Sequence, residues 1–93
     1  MVFEWDDGNI KKILRRYQLK EVEEFFDQEI FVITDPTHSK VELRFIAVGL
    51  SSKGKPMFVC FTLRNSKIRV ISARFMRTKE ALRYESFKES KKE

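Results

Sequence analysis

The spacing of apolar residues changes character once, near Glu29, and that change limits the folds open to this 93-residue chain. Before it, Ile10, Ile13, Leu14 and Tyr17 recur at the i, i+3, i+4 and i+7 positions of one helix face. Val22, Phe25 and Phe26 supply the inward side of a second short helix over Lys20–Phe26. After it, β-branched and aromatic residues predict strands at Ile30–Thr34, Val41–Leu50, Met57–Leu63 and Lys67–Phe75. A short extended run, Val2–Trp5, precedes the helices. Thr78 can cap a last helix carrying Ala81, Leu82, Tyr84 and Phe87, with residues 88–93 as a frayed tail. The order β-α-α-β-β-β-β-α predicts a single α+β domain, an antiparallel sheet with helices covering one side.

Local signals mark the boundaries. Asp6 and Asp7 stand where a helix start favours a cap and negative charge, and Lys12, Arg15 and Arg16 near its end, where positive charge is favoured. Lys11, Lys12, Arg15 and Arg16 lie opposite the apolar stripe. Pro36, in the turn-rich stretch Asp35-Pro36-Thr37-His38-Ser39, closes the short run Ile30–Thr34, Ser51–Pro56 is a polar turn, and Asn65-Ser66 is a tight turn between two strands.

Nineteen Lys and Arg against 14 Asp and Glu leave a net charge of +5, which suits a polyanion or an acidic protein partner. Alternation places part of that charge. With Asn65-Ser66 as a two-residue turn, Arg64 opposes Lys67 and Thr62 opposes Arg69, so Arg64, Lys67 and Arg69 share one sheet surface. Arg74 falls on the other face by counting, unless a bulge or the strand end re-aims it. Such a cluster reads either as a phosphate-binding floor or as a solvated hairpin tip whose cations discourage edge pairing.

The inventory of reactive groups is small. One His and one Cys cannot complete a zinc site of four N/S ligands, and the three glycines form no phosphate loop. Cys60, inside an apolar strand, reads as a packed small hydrophobe. An enzyme built from these residues is expected to work without metal or cofactor. RNA cleavage fits that constraint, because the attacking 2′-hydroxyl belongs to the substrate and the protein supplies proton transfer and cationic stabilisation. Arginine suits the second task, and His38 the first, with a turn residue packed beside Pro36 as the alternative. The opening residues lack the basic start and apolar stretch of a signal peptide, and no apolar segment is long enough to span a bilayer. The expected compartment is the cytoplasm.

Several segments, read together, resemble the BrnT toxin family. They are Phe3-Glu4-Trp5-Asp6 with Gly8-Asn9-Ile10 and Lys12, then Asp35, His38-Ser39, Glu42 and Arg44-Phe45. The most specific is Phe61-Thr62-Leu63-Arg64 followed by Lys67-Ile68-Arg69-Val70-Ile71-Ser72-Ala73-Arg74, and Lys79-Glu80 and Tyr84 close the match. The resemblance implies a RelE-like fold with a short N-terminal strand, two helices, a four-strand meander and a C-terminal helix. It implies metal-independent RNA cleavage that halts translation, and neutralisation by a BrnA-type ribbon-helix-helix antitoxin. It also implies a 2:2 toxin–antitoxin complex that binds promoter DNA through the antitoxin. By position, Arg64, Arg69 and Arg74 are the implied phosphate ligands, with His38, Glu42 and Glu80 for proton transfer or for orienting the arginines. Lys67, Lys12, Arg16, Arg44, Lys79 and Tyr84 are the implied RNA contacts. The chain departs from the family at Ile13 and Arg16-Tyr17, where members often carry Asn and Lys-His; a tyrosine of pKa near 10 is a poor general base at neutral pH. The rival readings are an inactive toxin-like domain kept as an antitoxin partner, and an RNA-binding module that does not cut.

Overall fold

A computed structural model describes residues 1–37 and 42–91. Its elements run α1 (Ile10–Leu14), α2 (Leu19–Phe25), β1 (Ile30–Thr34), β2 (Arg44–Leu50), β3 (Pro56–Arg64), β4 (Lys67–Phe75) and α3 (Thr78–Ser90). The four strands pair antiparallel in the order β1-β2-β3-β4, the meander expected from the change of period.

The expected N-terminal strand is reduced to one parallel bridge, Phe3 to Ile68, on the free edge of β4. Ile68 N–H donates to the Val2 carbonyl and Glu4 N–H to the Ile68 carbonyl, each at 2.8 Å. Pairing stops there because the chain turns at Asp6, whose N–H donates to Asn9 Oδ1 at 2.9 Å. Asn9 is itself buried, and its Nδ2 donates to the carbonyls of Glu4 and Val70 at 3.0 and 2.9 Å. The aspartates therefore do not cap α1; the Asp6 carbonyl accepts from Asn9 and Ile10 instead.

Helix α1 is shorter than its apolar stripe. Its last turn tightens where the Ile13 carbonyl accepts from both Arg16 and Tyr17, and Leu14 is left exposed while Tyr17 stays buried. So short a helix is held by packing rather than by propensity. Tyr17 meets the Phe75 ring edge-on at 5.2 Å, which makes it a core residue. Ile13, Tyr17, Val22, Phe25 and Phe26 pack on Ala47, Met57, Val59, Phe61, Ile68 and Val70 to form the core. The first face of the sheet is thus covered by α1 and α2.

The helices do not all lie on that face. Phe31, Val48 and Phe58 alternate with the core residues of their strands, and Phe87 of α3 meets Phe31 edge-on at 4.8 Å. Helix α3 therefore lies on the opposite side of the sheet, because its apolar residues, Tyr84 and Phe87, answer an apolar row there. Arg77, not Thr78, occupies its N-cap position, and the Arg77 N–H donates to Glu80 Oε1 at 2.9 Å.

The hairpin between β3 and β4 matches its expected register. Asn65 and Ser66 both have positive φ, 51° and 64°, as a two-residue turn between twisted strands requires. Arg64 pairs with Lys67 and Thr62 with Arg69. Further along, Cys60 pairs with Ser72 but Phe61 with Val70, so Ile71 is an extra residue in β4.

Candidate functional site

Directly opposed residues of antiparallel strands share a face, so the register lays out the surface away from α1 and α2 row by row. Phe31, Val48, Phe58 and Arg74 form the row beside α3. Ile33, Ile46, Cys60 and Ser72 form the next, followed by Arg44, Thr62 and Arg69, and then Arg64 with Lys67 at the turn. The extra residue Ile71 re-aims Arg74 onto this surface, the exception that simple counting left open. All three signature arginines consequently belong to one side of the sheet.

They do not converge on one point. Thr62 and Phe58, the partners of Arg69 and Arg74, are four residues apart, about 13 Å along the strand. Each guanidinium also has its own carboxylate. Arg64 Nε and Nη2 donate to Glu42 at 2.8 and 3.2 Å. Arg69 donates to Glu4 at 2.9 Å and to both oxygens of Asp6 at 2.8 and 2.9 Å. Arg74 donates to both oxygens of Glu80 at 2.8 Å, and its guanidinium lies 4.7 Å from the centre of the Phe58 ring. Arg64 and Arg69 are linked through Glu4, which lies 4.0 Å from Arg64 Nη1 and 2.9 Å from Arg69 Nη1, while Arg74 stands apart with Glu80.

Exposure ranks them. The Arg69 side chain is 12% exposed and clamps the N-terminal segment to β4, which leaves it a structural task rather than an open phosphate contact. Arg64 and Arg74 are 46% and 44% exposed and keep an outer edge towards solvent. Fork-shaped pairing fixes their planes as well as their charge.

The carboxylates are correspondingly acidic. The Arg74 guanidinium, helped by the Arg77 N–H, holds Glu80 down to about 2. Arg64 lowers Glu42, and Arg69 lowers Asp6 with help from the Gly8 N–H. Glu80 is therefore ionised at neutral pH and carries no proton to donate. Its geometry suits orienting Arg74, and the Glu42 geometry suits orienting Arg64 in the same way.

The other expected contacts divide. Lys67 is exposed at the turn and Lys79 on the first turn of α3, and Arg44 is half-buried beside Thr62. Tyr84 is not available to RNA: it is 6% exposed under α3, and burial pushes its hydroxyl up. His38 lies outside the described residues. Lys12 and Arg16 line a cleft of about 360 Å³ together with Arg74. Arg15, Phe58, Cys60, Ser72 and Ala73 complete that cleft, and the sequence alone does not single them out as contacts. Alternation along β3 puts Phe58 and Cys60 on the face of Arg64, and the bulge at Ile71 adds Arg74 beside them. Among the described residues no group of His, Cys, Asp and Glu forms a metal site, and no helix is long and apolar enough to cross a membrane.

A comparison with curated proteins gives no significant match. The profile of the family described as ribonuclease toxin, BrnT, of type II toxin–antitoxin systems matches residues 5–80, a span that includes the bulged hairpin and ends on Glu80. The chain belongs to the BrnT family of ribonuclease toxins.

Proposed function

We propose that this chain cleaves RNA without a metal ion, halts translation in the cytoplasm, and is neutralised by a BrnA-type ribbon-helix-helix antitoxin with which it represses its own promoter. Membership of a type II toxin family gives it an antitoxin partner and an RNA target. The observation that carries the finer reading is Arg74: half-exposed, planar, held in a fork by ionised Glu80, and facing the same cleft as Lys12, Arg15 and Arg16.

In this reading the substrate's 2′-oxygen attacks the adjacent phosphorus and loses its proton to a base. The bond to the 5′-oxygen breaks, and that oxygen takes up a proton, leaving a cyclic phosphate and a 5′-hydroxyl. Arg74 meets the charge gathering on the phosphoryl oxygens, and Arg64 holds the strand further along the sheet. Glu80 and Glu42 hold them in plane, Arg69 secures the N-terminal segment beneath, and His38 moves the proton. Lys67, Arg44 and Lys79 extend the positive surface along the strand.

The test is cleavage of a single-stranded RNA in EDTA, with product ends analysed for 5′-hydroxyl. Wild-type cleavage that Arg74→Ala abolishes, with the circular dichroism spectrum unchanged, is the expected result; cleavage equal in the two proteins overturns it. A second reading, a toxin-like partner without activity, is favoured by one observation: each signature arginine is already paired with a carboxylate of the same chain. Harmless expression together with tight antitoxin binding would establish that reading instead.

A further inference from the structure

Lys12 and Arg15 stand three residues apart and Lys12 and Arg16 four, so both arginines fall on the Lys12 side of the end of α1. All three are exposed, and none has an ion pair among the described residues, in contrast to Arg64, Arg69 and Arg74. Together with the edge strand these cations line a cleft that also includes the small side chains of Cys60 and Ser72, with Arg74 lying on Phe58. Its volume, about 360 Å³, takes one small-molecule-sized unit and is too narrow for a duplex.

We infer that this α1–β4 cleft is a backbone subsite for single-stranded RNA, in which Lys12, Arg15 and Arg16 take consecutive phosphodiesters flanking the nucleotide presented to Arg74. The inference rests on the reading of the chain as an RNA-directed toxin, but it concerns where the strand is held and not whether it is cut. Three cations unpaired among the described residues and gathered beside a fixed arginine match a polymer with one charge per unit, and the small side chains of Cys60 and Ser72 let the sugar approach the sheet. Cys60 is the chain's one cysteine and lines the cleft, so its alkylation reports occupancy directly.

The probe is a fluorescent 2′-O-methyl oligonucleotide, which lacks the attacking hydroxyl and so reads binding apart from cleavage. For the wild type, log affinity should fall with log salt, and the Lys12→Ala/Arg15→Ala/Arg16→Ala variant should show a slope shallower by about 2, at about 0.7 per phosphate. The oligonucleotide should slow iodoacetamide alkylation of Cys60 several-fold in the wild type and leave it unchanged in the triple variant. An equal slope in both proteins, or Cys60 labelled at the same rate with and without oligonucleotide, overturns the subsite. A triple variant that cleaves RNA with unaltered KM overturns it too and leaves the nuclease reading standing. Binding and Cys60 protection in a chain that never cleaves sustains the subsite and removes the nuclease reading. Protection by a poly-glutamate peptide but not by the oligonucleotide assigns the cleft to an acidic protein segment and overturns the RNA proposal.

Discussion

Arg74 and Glu80 face each other through two hydrogen bonds of 2.8 Å, joining the end of β4 to the first turn of α3. The pair fixes one plane of donors beside the cleft, so its value lies in direction as much as in charge. Arg74→Lys keeps the charge and loses the fork. RNA cleavage should fall by roughly 10²–10³-fold in Arg74→Ala and by nearly as much in Arg74→Lys, the size of effect seen when one oriented donor is removed. Single-turnover cleavage assays check this; near-normal rates in the lysine variant would show that charge alone suffices.

The same pair sets a response to acid. Glu80 titrates at about 2, below its ordinary 4.5, so the unfolded chain binds its proton more readily than the folded one. Its contribution is therefore complete above about pH 4.5 and fades as the pH falls towards 2. Asp6 and Glu42 shift in the same direction. Melting temperature should hold between about pH 7 and 5 and drop below that, and Glu80→Gln should make the drop shallower. Identical pH profiles for the two proteins would contradict the assignment.

Phe25 is fully buried between the helices and the sheet. Phe25→Ala removes most of a ring from a small core, which costs about 3–5 kcal/mol, against a total stability of about 5–15 kcal/mol for a domain. The expected fall in melting temperature is roughly 15 °C or more. Thermal denaturation followed by circular dichroism measures it.

Asn65 and Ser66 hold left-handed backbone angles that glycine adopts without strain. Asparagine tolerates that region and serine does so less well, so Ser66→Gly should stabilise the hairpin by about 0.5–1 kcal/mol. A urea titration that moves the midpoint upwards with an unchanged slope is the expected outcome.

Arg69 spans 65 residues of sequence to reach Glu4 and 63 to reach Asp6. Arg69→Ala should release the N-terminal segment, and hydrogen exchange at the Glu4 and Ile68 amides should accelerate while that of Val59 in the central strand holds. Uniform acceleration throughout would mean that the clamp supports the whole domain and not one edge.

Much of this surface was legible before any coordinates. The Asn65-Ser66 turn sets which residues oppose each other for several positions on either side, so Arg64, Lys67 and Arg69 could be assigned to one face by counting. The count fails beyond Ile71, where no glycine or proline marks the extra residue. Ion pairs such as Arg69 with Asp6 leave no local trace, and the two aspartates looked like a helix cap because that is the nearest use for them. Tyr84 was misplaced for a related reason: α3 leaves Leu82 exposed, and its pattern does not announce which side meets the sheet.

Strand β4 consequently behaves like a ruler with one offset graduation, and the offset matters more than the lettering. Deleting Ile71 would leave Ser72 opposite Cys60 and Arg74 opposite Phe58, whereas keeping Ile71 and pairing it in strict alternation would turn Arg74 towards α1 and α2 and push Ala73 out onto the open surface. Phe75 would lose its place against Tyr17 at the same stroke. A homologue that kept the same spacing but paired this strand without the bulge would therefore carry every signature side chain and still present a different map of charge to its ligand, a form of inactivation that residue-by-residue comparison overlooks.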